Sequence, residues 1–301
     1  MVPGVTPEVD LPDDEPARVR AVWGALGLPG LVDVHTHFMP DRVQQKVWAF
    51  FDALEEQVGT AWPIAYRLPD DERARRLADF GVRAFTALNY PHKPGMAQWL
   101  NGWAGEFADR TPDCVRTGTF YPEAEAASYV RAAIDDGVGV FKCHVQVGDY
   151  DVHDPLLDDV WGAIQDADVP VVIHCGSGPE PGRFTGPDPV DALMRRFPRL
   201  PLVIAHMGMP EYAQFLDLAD RYESVRLDTT MVFTAFSERL APFPVDLRPR
   251  LLDLQKRILF GSDFPNIPYP YADALRAVME LGLGDDWARD VGRENGRGLV
   301  G

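Results

Sequence analysis

From Leu31 onward, short apolar runs alternate with longer stretches in which apolar residues recur every three or four positions. The runs are Leu31–His37, Ala84–Tyr90, Val115–Tyr121, Gly139–Gln146, Val169–Cys175, Pro201–Met207, Val225–Thr230 and Ile258–Asp263. Many are nearly continuous in Val, Ile, Leu and Phe, the pattern of parallel strands covered on both faces. The stretches Asp70–Phe80, Ala124–Asp136, Leu156–Ala167 and Asp188–Phe197 have helical spacing, and several open on Asp or Pro. Eight such units predict an α/β fold, a (β/α)8 TIM barrel formed as a single domain over residues 31–301. A doubly wound open sheet would need a glycine-rich phosphate turn after its first strand. Here the strand runs instead into His35-Thr36-His37-Phe38-Met39-Pro40.

Residues 1–30 read as an N-terminal extension with a short helix from Glu15 to Leu26, closed by Gly27. Pro29-Gly30 then opens the first strand. The Phe38–Phe80 connection is a long, aromatic, partly helical insertion after strand one. It could lie over the catalytic face as a lid or serve only as structure.

Composition narrows the function classes. A net charge of -17 opposes nucleic acid, whose phosphates need a basic footprint, and opposes docking on anionic lipid. No apolar run reaches the roughly 18 residues of a membrane span. The acidic, proline-bearing N-terminus has neither the basic nor the apolar segment of a secretory signal. Cys114, Cys143 and Cys175 are odd in number and lack CxxC spacing, as expected of reduced core residues in a cytoplasmic protein.

His35 and His37 share one face of the first run, because strand side chains repeat every two residues. Two imidazoles converging at a strand end can bind a divalent metal, and a hydrogen-bonded structural pair is the alternative. The other run ends carry similar chemistry. Run four holds Lys142 and His144, run five ends in His174, run six holds His206, and run eight ends in Asp263. Six of the seven histidines lie at or near such an end, with His153 the exception, whereas scattered core histidines would show no such bias. In a barrel these ends form the rim that holds the active site.

The motifs Asp-Val-His-Thr-His, Phe-Lys-Cys-His, Val-Ile-His-Cys-Gly, Ala-His-Met-Gly and Phe-Gly-Ser-Asp-Phe-Pro occur in that order from Asp33 to Pro265. The pattern resembles the amidohydrolase superfamily, specifically the amidohydrolase-related branch that contains aminocarboxymuconate semialdehyde decarboxylase. The resemblance implies a barrel with one divalent metal, usually zinc, held by His35, His37, His174 and Asp263, with His206 catalytic beside the activated water. Zinc chemistry agrees, since the ion takes imidazole and carboxylate ligands and keeps a position for water. Asp263 could also accept the water's proton, while His206 could polarise a carbonyl or hold the water in line. Structural readings exist for each: Asp263 as a cap, His206 as a hydrogen-bonded rim residue.

In some branches of the superfamily a lysine at the fourth strand is carbamylated and bridges two metals. Phe-Lys-Cys-His looks like the single-metal branch, so Lys142 and His144 are expected to contact substrate or pack inside the barrel. Asp33, on the inward face, is expected to accept hydrogen bonds behind the histidines. Arg183 and Lys93 could pair with a substrate carboxylate or lie on the surface. Trp48, Phe50, Phe51 and Trp62 could line a pocket or belong to the core. Because metal-activated water is the commoner chemistry of the superfamily, the resemblance implies a metal-dependent hydrolase that directs such water at an ester, lactone or amide bond of a small, carboxylated molecule. The alternative on the same site is a metal-dependent decarboxylase (a carboxy-lyase) of an unsaturated or aromatic acid, and a third reading is a barrel that binds a ligand without turnover. A homodimer is compatible with the resemblance.

Overall fold

The computed structural model describes residues 9–300, apart from the side chains at 57 and 58. Positions 1–8 of the expected N-terminal extension, and Gly301, lie outside the described residues. One parallel sheet contains β1 (Leu31–Asp33), β2 (Val82–Thr86) and β3 (Cys114–Val115). The other contains β4 (Thr117–Thr119), β5 (Val140–His144), β6 (Val171–His174), β7 (Leu202–Ile204), β8 (Val225–Asp228) and β9 (Ile258–Leu259). β3 and β4 are one strand position interrupted at Arg116, whose guanidinium pairs with Asp109 and Asp136. The first and last strands meet where Val34 N–H donates to Phe260 O at 3.0 Å and Asp263 N–H to His35 O at 2.9 Å. These bonds close the sheets into a TIM barrel.

The near-continuous apolar runs are explained by burial on both faces. In β6, Val171 and Ile173 join the large core beneath the helices, while Val172 joins Val32, Val34, Val140, Val203 and Leu259 inside the barrel. In β7, Leu202 and Ile204 face outward and Val203 inward in the same way. The paired strands are shorter than the apolar runs. Leu31–His37 pairs as strand only to Asp33, because beyond it the backbone turns its bonds to the eighth strand position and to side chains of the rim.

The connection after β1 contains α2 (Asp41–Val58) and α3 (Asp70–Phe80). Asp70, Asp71 and Glu72 fill the first turn of α3, where the helix dipole favours negative charge. α3 stops at Gly81, which takes a left-handed φ of 83°. A side chain there would also strike Trp23 of α1 (Glu15–Ala25), whose Nε1–H donates to Phe80 O at 2.9 Å. The short N-terminal helix is thereby docked on that connection.

Beneath that contact runs a buried polar chain. Tyr66 O–H donates to Glu15 Oε1 at 2.5 Å, Tyr271 N–H to the Tyr66 hydroxyl at 2.6 Å, and Tyr271 O–H to Asp33 Oδ2 at 2.9 Å. Burial raises the Glu15 carboxyl above its ordinary value despite Tyr66 and an Arg76 guanidinium 3.6 Å away. The folded protein therefore holds that proton more tightly than the unfolded chain does. The ionised carboxylate weakens the fold as pH rises through the raised value. Glu15→Gln retains the acceptor for Tyr66 and is expected to raise the melting temperature by roughly 1–3 °C near pH 8 and to change little near pH 4. Thermal melts at both pH values check this; a variant that melts lower at both would show that the pull of Arg76 outweighs burial.

Candidate metal centre

The C-terminal continuations of the strands carry the candidate residues to one rim. His35 and His37 face each other with ring centroids 5.1 Å apart. Asp263 Oδ1 stands 3.0 Å from His37 Nε2 and 3.5 Å from His35 Nε2. Ligand atoms of His35, His37 and Asp263 all lie within 4.8 Å of one another, close enough to share one divalent ion. The outer nitrogens are already committed: His35 Nδ1 meets Asp228 Oδ2 at 2.8 Å and His37 Nδ1 meets Leu88 O at 2.9 Å. Both Nδ1 atoms therefore carry the ring proton, which leaves both Nε2 lone pairs on the inner side, His37 Nε2 beside Asp263 and His35 Nε2 between Asp263 and Lys142 Nζ. This is the tautomer a metal requires, so the three residues fit a divalent cation.

Asp228 is the group the strand-end reading overlooked. Besides His35, its Oδ1 accepts from His206 N at 2.9 Å and Thr230 N at 3.1 Å. It closes β8 within the apolar run Val225–Thr230, so an acid at the end of the seventh run was the available signal. Asp33 plays the expected acceptor role on the other side, taking His35 N–H at 3.2 Å and Ser262 N–H at 3.1 Å. Gly261 lets these parts close up, because a Cβ there would collide with Thr230 Oγ1 and lie 2.8 Å from His35 Cβ.

His206 and Asp263 both occupy left-handed backbone, at φ 54° and 71°, a conformation that costs non-glycine residues energy. His206 Nδ1 donates to Thr230 O at 3.1 Å, and its Nε2 has no protein partner among the described residues. His206 therefore offers an acceptor, which suits holding a water better than polarising a carbonyl. Its ring lies 5.2 Å from His35 and 4.7 Å from His174. His174 stands outside the group of three: its Nε2 donates to Gly178 O at 3.2 Å, and its ring stacks on His144 at 4.1 Å.

Lys142 is fully buried with Nζ 3.1 Å from His35 Nε2, so it adjoins the candidate ligands directly. Burial pushes its ammonium down to about 8, against the attraction of Asp228 and Asp263. Burial, reinforced by Lys142, pushes His35 down to about 3 and keeps the imidazole neutral. Although burial works to raise them, Asp228 is held below the carboxylate range by His35, and Asp263 by His37 and His206.

Above these residues opens a cavity of about 1230 Å³, lined by His37, Lys142, His144, His174, His206 and Asp263 and walled by α2. Phe50, Phe51, Trp62 and Lys93 also line it. Trp48 does not; it is buried, with Arg73 stacked over its ring at 5.8 Å. Arg183 is exposed, its guanidinium 4.9 Å from the centre of the Phe184 ring, and is absent from the cavity wall. Among the described residues no helix is long and apolar enough to cross a membrane.

Asp228→Asn preserves the shape of the carboxylate but not its capacity to accept from three N–H groups at once. The variant is expected to stay folded and to lose about 10–100-fold in divalent-metal affinity. Competition with a chromogenic chelator measures this, and unchanged affinity would show that Asp228 does not orient His35.

No curated protein matches the chain. Solved structures similar to it include an uncharacterised TIM-barrel protein from Bordetella bronchiseptica, with TM-score 0.69 and 18% identity over 90% of this chain and 98% of that one. A 5-carboxyvanillate decarboxylase from Sphingomonas paucimobilis aligns with TM-score 0.59 and 16% identity over 91% and 99% of the two chains. Dihydroorotase from Campylobacter jejuni aligns with TM-score 0.54 and 13% identity over 88% and 81%. At these identities the likenesses show the shared fold. A family model described as Amidohydrolase matches residues 32–301, nearly the whole barrel, and the chain belongs to that family of enzymes.

Proposed function

We propose that this enzyme is a metal-dependent hydrolase acting on an ester, lactone or amide carbonyl of a small organic acid. The observation that carries the reading is the Asp263 carboxylate, facing both His35 Nε2 and His37 Nε2 and flanked by the unpartnered Nε2 of His206 at the cavity floor. His35, His37 and Asp263 would hold the ion, with His174 as the fourth ligand, either through Nδ1 or through Nε2 once it releases Gly178 O. Zinc is the ion best suited to two or three imidazoles and a carboxylate. Such an ion supplies electrophilic activation of a water at neutral pH.

The chain's own residues do the rest. His206 Nε2 accepts a hydrogen bond from the water and aligns it with the carbonyl carbon. Asp263 takes the water's proton as the new C–O bond forms. The same proton returns to the departing alkoxide or amine as the old C–O or C–N bond breaks. Lys142 and His144, both in the cavity wall, would meet the substrate's oxygens.

A panel of lactones and esters followed by proton release, amides followed by amine release, and carboxylated phenols followed by carbon dioxide release tests the reading. Proton or amine release without carbon dioxide is expected, and Asp263→Asn is expected to lower the rate on the order of 10²–10⁴-fold while leaving the circular dichroism spectrum and melt intact. Carbon dioxide release without hydrolysis would replace hydrolysis by decarboxylation on the same residues.

A further inference from the structure

α2 presents Arg42, Lys46, Phe50 and Leu54 to the cavity, one residue per helical turn. Twelve residues of helix extend about 18 Å, longer than a single carboxylated ring. The stripe is cationic in its first half and apolar in its second. Other elements extend both halves. His92 and Lys93, from the connection after β2, join the cationic side. Lys46, His92 and Lys93 line the same cavity, and burial together with the charges of Lys93 and Lys46 pushes the His92 imidazole down. On the apolar side Phe51 packs against Trp62 at 5.1 Å, and Trp62 against Phe236 at 4.7 Å.

The neighbouring Arg67, Arg75, Arg76 and Arg110 all have carboxylate partners. Among the described residues, none of Arg42, Lys46 and Lys93 has one; Arg42 lies instead over the Trp99 ring at 4.5 Å. The lining acids are Asp263, in the candidate metal set, and Glu180, on the loop after β6. Exposed apolar side chains cluster here too. Of the seven large hydrophobic residues that stand exposed among the described residues, Phe50, Trp99, Val147 and Leu240 belong to this cavity.

We propose that the substrate is an elongated amphipathic anion. Its anionic group rests among Arg42, Lys46 and Lys93, its apolar body lies along the Phe50–Leu54 half of α2, and the bond that reacts lies between them over His37 and Asp263. The proposal rests on the cavity being the active site, and it extends that reading from a small acid to a larger one. Long-range attraction by unpaired cations and burial of the apolar body supply the selectivity.

Calorimetric titration of the metal-loaded protein with biphenyl-4-carboxylate, benzoate and 4-biphenylmethanol tests this. Biphenyl-4-carboxylate is expected to bind at least about tenfold more tightly than either the shorter acid or the neutral alcohol. The pair Lys46→Glu and Lys93→Glu is expected to cost the biphenyl acid roughly tenfold or more and the alcohol less than about twofold, with an advantage for the acid that shrinks as salt rises. Lys46→Gln with Lys93→Gln gives the same ordering in a milder form should the reversal disturb the fold. Equal binding of the biphenyl acid and the alcohol, or of the biphenyl acid and benzoate, would overturn the proposal. So would an acid affinity that survives the lysine changes but disappears in Asp263→Asn, since the anion would then sit at the histidines. Binding needs no turnover, so a failure of the hydrolase reading leaves this result separately readable.

Discussion

Hydrogen bonds from Val34 N–H to Phe260 O and from Asp263 N–H to His35 O join the two ends of the barrel, and the candidate metal centre straddles that seam. His35 and His37 belong to the first strand's continuation and Asp263 to the last, more than two hundred residues away along the chain. Asp33 reinforces the junction by accepting backbone N–H groups from both sides, His35 and Ser262. A barrel left open at this point would keep every strand yet separate the ligands. Closure and site assembly are therefore one event.

The buried charges near the seam compensate one another only in part. Lys142 supplies a cation, Asp228 and Asp263 supply anions, and burial keeps the His35 imidazole neutral. Burying charges in a barrel interior is expensive unless they are paired and hydrogen-bonded. Asp228 meets that condition with three N–H partners from three different elements, and in doing so it sets the tautomer of His35. The excess of negative charge over positive is what a divalent cation would neutralise. A residue that looks like background to the chemistry is thus the one that orients it.

The connection after β1 contributes a wall to the cavity. Arg73 of α3 is buried, donates to Gln44 of α2 at 2.8 Å and stacks on Phe38, while Gln44 reaches Asn266 at 3.3 Å on the loop after β9. α2 is thereby held against the rim, and its exposed stripe gives the cavity a charged side and an apolar side.

Much of this was legible in the chain. The alternating runs specify parallel strands because doubly covered strands must be apolar on both faces, and Val171, Val172 and Ile173 show both faces in use. His35 and His37 share a face through the two-residue repeat of extended backbone, a local property that survives where the ladder ends. Other features depend on groups distant in sequence. The part played by Asp228, the partner of each imidazole nitrogen, the acceptor state of His206 Nε2 and the position of His174 outside the three-residue group all arise from which strands become neighbours. So does the contrast between Lys93, on the cavity wall, and Arg183, outside it. Periodicity records which face a residue takes along its own element. Only barrel closure and packing of the connection after β1 decide what that face meets.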